Sequence, residues 1–189
     1  MRRHLVKRPA VAAAAVVISS ALLLAGCGSD TPTNASPTSS PTPSGTANSA
    51  PAGKGDVSKA PKVTGDFGQK PTIAKPAGDP PTTLIVKDLK VGSGDPVTDT
   101  SKSYEWNYAG VTWSDGQTFD SSFDRGQSIA FSLDQVIPGW KQGLIGIKPG
   151  GRRVLVIPPE LAYGAQGSPP AIGPNATLVF VVDLIGPAA

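Results

Sequence analysis

The sequence predicts an α+β fold in which a curved antiparallel sheet covers one short helix. Two patterns lead to it. Short β-prone runs recur between clusters of Gly, Pro, Asp and Ser, while only the window 138–145 has helical character. All eleven aromatic residues lie at Phe67 or later, so the core comes from the C-terminal two-thirds of the 189 residues.

The elements follow in order. Residues 82–91 are β-prone, alternate in part, and stop at the turn cluster Gly92-Ser93-Gly94-Asp95-Pro96. Tyr104 to Thr112 alternate aromatic and polar positions, Tyr104 and Trp106 being read as sheet packing, and Asp115-Gly116 makes a hairpin turn. Ser128 to Leu133 is another short strand. Pro138 to Ile145 is the helix. Its proline suits a first turn, and Trp140, Leu144 and Ile145 fall on one side. Gly143 weakens this helix, and Lys148-Pro149-Gly150-Gly151 ends it. Arg152 to Ile157 and Ala176 to Ile185 are strands, the second nearly all apolar and therefore central. Arg152-Arg153 reads as a solvated strand end. No internal repeat is visible, and residues 71–189 form one domain with a modest core.

The N-terminus carries targeting information. Residues 1–26 read as a signal peptide: a basic stretch, then an apolar run from Ala10 to Ala25, too short for the roughly 20 residues of a membrane span. Leu24-Ala25-Gly26-Cys27 resembles the lipobox of bacterial lipoproteins, which implies a diacylglyceryl group on Cys27 and cleavage before it. The alternative is an ordinary leader with a chance cysteine. Arg2-Arg3-His4-Leu5-Val6-Lys7 also resembles a twin-arginine signal, against a plain basic n-region. Two acyl chains suffice for stable anchoring, so the expected location is the outer face of the cell membrane. Residues 27–70 hold no Leu or Ile and are rich in Ser, Thr and Pro, the composition of a flexible tether.

Charge and composition exclude several functions. The chain's formal net charge is +3, but residues 1–26 contribute four basic residues and no acids. Thirteen basic and fourteen acidic residues remain, so no basic surface argues for nucleic acid. The single histidine, His4, and the single cysteine, Cys27, precede the domain. That excludes a Ser-His-Asp or Cys-His catalytic group and a His/Cys metal site within it.

Five short motifs occur in order: Tyr108-Ala109-Gly110, Phe119-Asp120-Ser121-Ser122, Val136-Ile137-Pro138-Gly139-Trp140, Ala162-Tyr163-Gly164 and Ala176-Thr177-Leu178-Val179-Phe180. In this order and spacing the chain resembles the FK506-binding-protein (FKBP) type peptidyl-prolyl cis-trans isomerases, from about Thr83 to Ile185. The resemblance implies a five-stranded antiparallel half-barrel wrapped on one short helix. It implies isomerisation of X–Pro bonds, no cofactor and no metal. As catalytic positions it implies Tyr108 and Asp120, paired through the hydroxyl, the Ile137 backbone N–H, and Tyr163 as a hydroxyl donor. As substrate-binding positions it implies Phe119, Val136, Trp140 (the floor), Phe180 and Arg125, the last pairing with Asp120. Ile129 stands where an aromatic is common, Ser168 where His is common, and Pro169-Pro170-Ala171-Ile172 replaces a bulkier apolar pair. Ile172 is expected still to reach the pocket rim. Leu133-Asp134-Gln135 looks about two residues shorter than in small members. These departures bear on the residue preferred before proline and on affinity for FK506/rapamycin-type macrolides.

The expected partners are therefore proline-containing exported polypeptides, macrolides of that type and the membrane through Cys27, with no nucleic acid and a monomeric chain. The competing readings are a non-catalytic proline-peptide binding module and a chaperone using the same pocket.

Overall fold

The computed structural model describes residues 55–188; the leader, Cys27 and the tether up to residue 54 lie outside them. The described chain opens with a strap. It consists of a 3-10 turn at Val57–Lys59 and a small ladder of β1 (Val63–Thr64) with β2 (Thr72–Ile73). The main sheet follows: β3 (Ile85–Lys90), β4 (Ser103–Thr112), β5 (Thr118–Ser121), β6 (Ile129–Ser132), β7 (Arg152–Ile157) and β8 (Leu178–Pro187). All pairings are antiparallel, in the order β3-β7-β8-β4-β5, with β6 also on β4. The apolar β8 is central, as its composition predicts.

The expected five strand positions hold six strands. β5 pairs with Ala109 to Val111 and β6 with Ser103 to Trp106, so both occupy the same edge of β4. A one-turn helix, α1 (Ser122–Arg125), separates them. The Ser121 hydroxyl accepts from the Asp124 N–H at 3.3 Å, and Gly126 ends the turn at φ 71°. This cap is Ser121, and not the neighbouring Asp120, whose carboxylate is engaged elsewhere.

The longer helix, α2, spans Pro138–Leu144 and seats on β7 through two glycines. A Cβ at Gly143 would lie 2.6 Å from Leu155 Cδ2, and one at Gly139 would overlap the Ile157 side chain. The glycine that weakens the helix as an isolated segment thus lets it approach the sheet. Ile145 departs from the expected apolar side: α2 ends at Leu144, Ile145 itself turns out of the helix at φ −55° and ψ 134°, and it is 47% exposed.

Alternation along β8 builds two cores. Leu178, Phe180, Val182 and Leu184 face α2 and pack with Trp106, Leu133, Trp140, Leu144, Leu155 and Ile157. Val179 and Val181 face the opposite side, with Ile85, Val111, Trp113, Val154 and Val156. Ala60, Val63 and Ile73 of the strap cover that second core.

Two sequence expectations are corrected here. The tether assignment, drawn to residue 70, runs too far, because residues 55–70 fold against the outer face of the sheet. Low apolar content hid this, since backbone groups do much of the holding. Nor is Arg152-Arg153 a solvated strand end. Arg152 is buried against Asp183, with Nε to Oδ1 at 2.5 Å and Nη2 to Oδ2 at 2.7 Å. Its guanidinium also donates to the carbonyls of Gly65 and Gln69, each at 2.7 Å. Arg153 pairs with Asp88 at 2.6 Å and donates to the Gly143 carbonyl at 2.8 Å, at the end of α2. Both long side chains find acids and carbonyls that only the folded chain brings near.

Candidate active site

A cavity of about 550 Å³ opens on the concave face of the sheet. β4 supplies Tyr108, β5 supplies Phe119 and Asp120, and β6 supplies Ile129 and Phe131. The turn into α2 brings Gln135, Val136 and Ile137, and α2 itself brings Trp140. Tyr163 and Phe180 complete the lining.

The walls are aromatic and mutually braced. The Trp140 ring lies 5.3 Å from Tyr108 and 5.1 Å from Phe180, both nearly perpendicular, and 5.5 Å from Phe131. Phe119 meets Phe180 edge-on at 5.4 Å. Each such pair contributes roughly 0.5–1.5 kcal/mol beyond its buried area, so the cavity shape is held by its own lining. The Trp140 indole N–H is buried without a partner among the described residues, which costs about 1–3 kcal/mol.

One charged cluster sits at the edge. The Tyr108 hydroxyl donates to Asp120 Oδ2 at 2.5 Å. Arg125, on α1, bonds to Asp120 Oδ1 and donates to the Tyr108 oxygen at 2.9 Å. Burial pushes the Asp120 carboxyl up, but hydrogen bonds from Tyr108 and Arg125 and the guanidinium charge outweigh it, and the group titrates below its usual value. Burial first, then the bond to Asp120, raises the Tyr108 phenol, against the opposing pull of Arg125. Near neutrality Asp120 is ionised and Tyr108 keeps its proton.

That ionisation state fixes a pH dependence. Because the folded Asp120 titrates below its unfolded value, the stability it lends is present above about pH 4 and is lost as pH falls through the folded value. Any activity of the cavity should be level from about pH 5 to 9, where neither group titrates. A pH–rate profile with an inflection inside that range would contradict this assignment.

Two backbone features matter. Ile137, at φ −58° and ψ 148°, accepts at its carbonyl from Trp140 and Lys141 as α2 begins, while its own N–H donates to none of the described residues. Gly110 lies under the aromatic pair: a Cβ there would lie 2.6 Å from Phe119 Cζ and 2.8 Å from Phe180 Cε1. Only a residue without a side chain lets both rings settle onto β4.

The structure thus brings Tyr108, Phe119, Asp120, Val136, Ile137, Trp140, Tyr163 and Phe180 around one cavity, with Arg125 bonded to it from outside. Tyr163 stands at the rim, 40% exposed. Ile172 does not line the cavity. Ser168 and Ile172 exchange backbone hydrogen bonds at 2.8 and 3.0 Å, closing the intervening loop, and the Ile172 side chain is buried in the concave core at 5% exposure. Phe131 and Gln135 line the cavity and were not expected from sequence. Phe131 was accessible to it, being two residues from Ile129 on one strand and so on the same face. Gln135 was not, because its place depends on the short 3-10 turn Leu133–Gln135.

Residues 96–185 match the family model of the FKBP-type peptidyl-prolyl cis-trans isomerases. A probable FK506-binding protein of Corynebacterium glutamicum is 46% identical over 102 residues, covering 54% of this chain and 85% of that protein. The chain belongs to the FKBP-type peptidyl-prolyl cis-trans isomerase family. The isomerase FkpA of Escherichia coli K12 is 50% identical over 104 residues, 55% of this chain but only 37% of the length of FkpA. Among solved structures, the FkpA crystal structure matches with a TM-score of 0.52 at 46% identity, covering 57% of this chain and 50% of that one. The crystal structure of AtFKBP13 matches with a TM-score of 0.52 at 34% identity, covering 58% of this chain and 96% of that one. The family's half-barrel is therefore the fold of the segment after the strap, and the strap lies upstream of the matched residues.

Proposed function

We propose that this chain is a peptidyl-prolyl cis-trans isomerase acting on X–Pro bonds of exported polypeptides, anchored by lipid on Cys27 at the outer face of the membrane. The observation that carries the catalytic reading is the aromatic cavity with an Ile137 N–H that donates to none of the described residues and the Tyr108–Asp120 pair at its edge.

The chemistry suits such a cavity. Rotation about the amide must overcome a barrier of about 18–20 kcal/mol set by resonance. The twisted amide has less charge separation than the planar one, so an apolar enclosure disfavours the planar ground state more than the transition state. Trp140 would lie beneath the proline ring, with Phe119, Phe180 and Phe131 as walls. The Ile137 N–H and the Tyr163 hydroxyl would hold flanking carbonyls, so that binding energy is realised in the twisted geometry. Asp120 fixes Tyr108, and Arg125 keeps Asp120 ionised. No bond is broken, so the chain needs no nucleophile. FK506- or rapamycin-type macrolides would compete for the same cavity.

The test is isomerisation of an X–Pro tetrapeptide by the full chain in detergent, with an FK506-type inhibitor and a Tyr108→Phe/Asp120→Ala variant. We expect acceleration over the slow uncatalysed reaction, blocked by the inhibitor and reduced about tenfold or more in the variant. A folded chain that binds the peptide without accelerating it would instead be a proline-recognition module.

Anchoring is tested separately. The native mature chain should begin at Cys27 and carry the mass of a diacylglyceryl group, and Cys27→Ser should lose both the acyl mass and the cleavage before residue 27, leaving the apolar run from Ala10 to Ala25 attached. A native mature chain without acyl mass on Cys27 would overturn the lipid-anchor reading.

A further inference from the structure

We propose that residues 65–70, upstream of the segment shared with the family, act as a positioning element for the isomerase site by clamping α1 from outside the sheet. The inference rests on the isomerase reading only for its kinetic consequence.

The clamp begins at the buried ion pair. Arg152 and Asp183 face each other across β7 and β8, and Asp183 is in turn paired in register with Asn107 on β4. Their side chains are 2% and 0% exposed. Residues 65–70 close over this row with the Gly65 and Gln69 carbonyls on Arg152 and the Gly68 N–H on Asp183 Oδ2, at 2.8 Å. A buried pair left without these bonds would carry unsatisfied charge, so the strap and the row hold each other.

From there the contacts lead to α1. The Arg152 guanidinium lies 5.9 Å from the centre of the Phe123 ring, and Lys70 is ion-paired with Asp124. Phe123 and Asp124 directly precede Arg125, whose guanidinium grips Tyr108 and Asp120 in the site. The third link is Ser122. Its hydroxyl donates to Asn107 Oδ1 at 3.0 Å and accepts from the Tyr108 N–H at 2.8 Å, just beyond the last β4–β5 pair, Ala109 with Ser121. Ser122 therefore continues a ladder that β5 no longer supplies.

The physical reason is the length of α1. Four residues cannot sustain a helix in water, because nucleation costs more than one turn returns. The place of α1, and hence of Arg125, is set by what packs on it. The exposed Lys70–Asp124 pair is a weak holder. The buried Arg152–Asp183 pair, with Phe123 against it, is the stronger one.

The experiment uses the full chain carrying Arg152→Met/Asp183→Leu, which removes the strap's anchor without leaving an unpaired buried charge. Amide hydrogen exchange is read at Gly126, bonded to the Phe123 carbonyl, and at Tyr108, with Lys141 in α2 as internal control. Exchange at Gly126 and Tyr108 should rise at least about tenfold while Lys141 is unchanged. In the same background, Arg125→Leu should lower kcat/KM by less than about threefold, against about tenfold in the native chain, because the clamp and Arg125 act as one unit. Unchanged exchange at Gly126, or fully additive kinetic losses, overturns the proposal. Should the double variant not fold, Lys70→Met keeps the fold and should raise Gly126 exchange about threefold; no rise counts against the clamp. A native chain without isomerase activity would sink the proposed function, while the exchange data would still decide this point.

Discussion

Asp183→Ala is expected to destabilise the domain by about 3–5 kcal/mol, the cost of stranding a buried guanidinium. Arg152 would keep two carbonyl acceptors from the strap but lose both carboxylate oxygens, and its side chain is only 2% exposed. A domain of this size has roughly 5–15 kcal/mol in total, so the variant would lose a large share of its stability. The companion measurement is Arg152→Met/Asp183→Leu, in which neither position carries a charge and most of that stability should return. Urea denaturation followed by tryptophan fluorescence reads both. A single variant as stable as the native chain would mean that Arg152 reaches water, contrary to the packing of the strap.

Gly110→Ala is the second large effect, and it separates activity from stability. The added methyl would press on Phe119 Cζ and Phe180 Cε1, so the two rings must retreat into the cavity they line. Overpacking of this kind costs about 1–3 kcal/mol, which the fold tolerates. Peptide isomerisation should fall at least about tenfold, since wall displacements well under an ångström misplace a bound proline. Native-like kcat/KM in a folded Gly110→Ala chain would show that the aromatic pair does not contact substrate. Gly139→Ala should act similarly from the other side, by lifting α2 and Trp140 off Ile157.

Much of this was legible in the sequence, for reasons that differ by residue. β8 reads as a central strand because both of its faces are covered, which demands a continuous apolar run. The cavity residues were legible through motifs in a fixed order, and eight of them surround one cavity. Ile172 misled because its loop is closed by backbone hydrogen bonds between Ser168 and Ile172, which side-chain identity does not encode. Ile145 misled because periodicity continues on paper past the point where α2 ends.

By itself, then, the sequence settled the period-2 strands, the one longer helix, the order of the site motifs and the absence of His and Cys chemistry in the domain. These are local matters of side-chain type and spacing. It could not settle the strap, the buried Arg152–Asp183 pair or the tie from Lys70 to α1. Gly65, Gly68 and Gln69 hold the sheet through their backbone, and every residue has the same peptide group, so composition is silent about it. Arg152 and Arg153 look solvated in the chain because their acceptors, Asp183 and Asp88, are 31 and 65 residues away. Whether a charge is buried or exposed is decided by partners distant in sequence, and those meet only when the sheet closes.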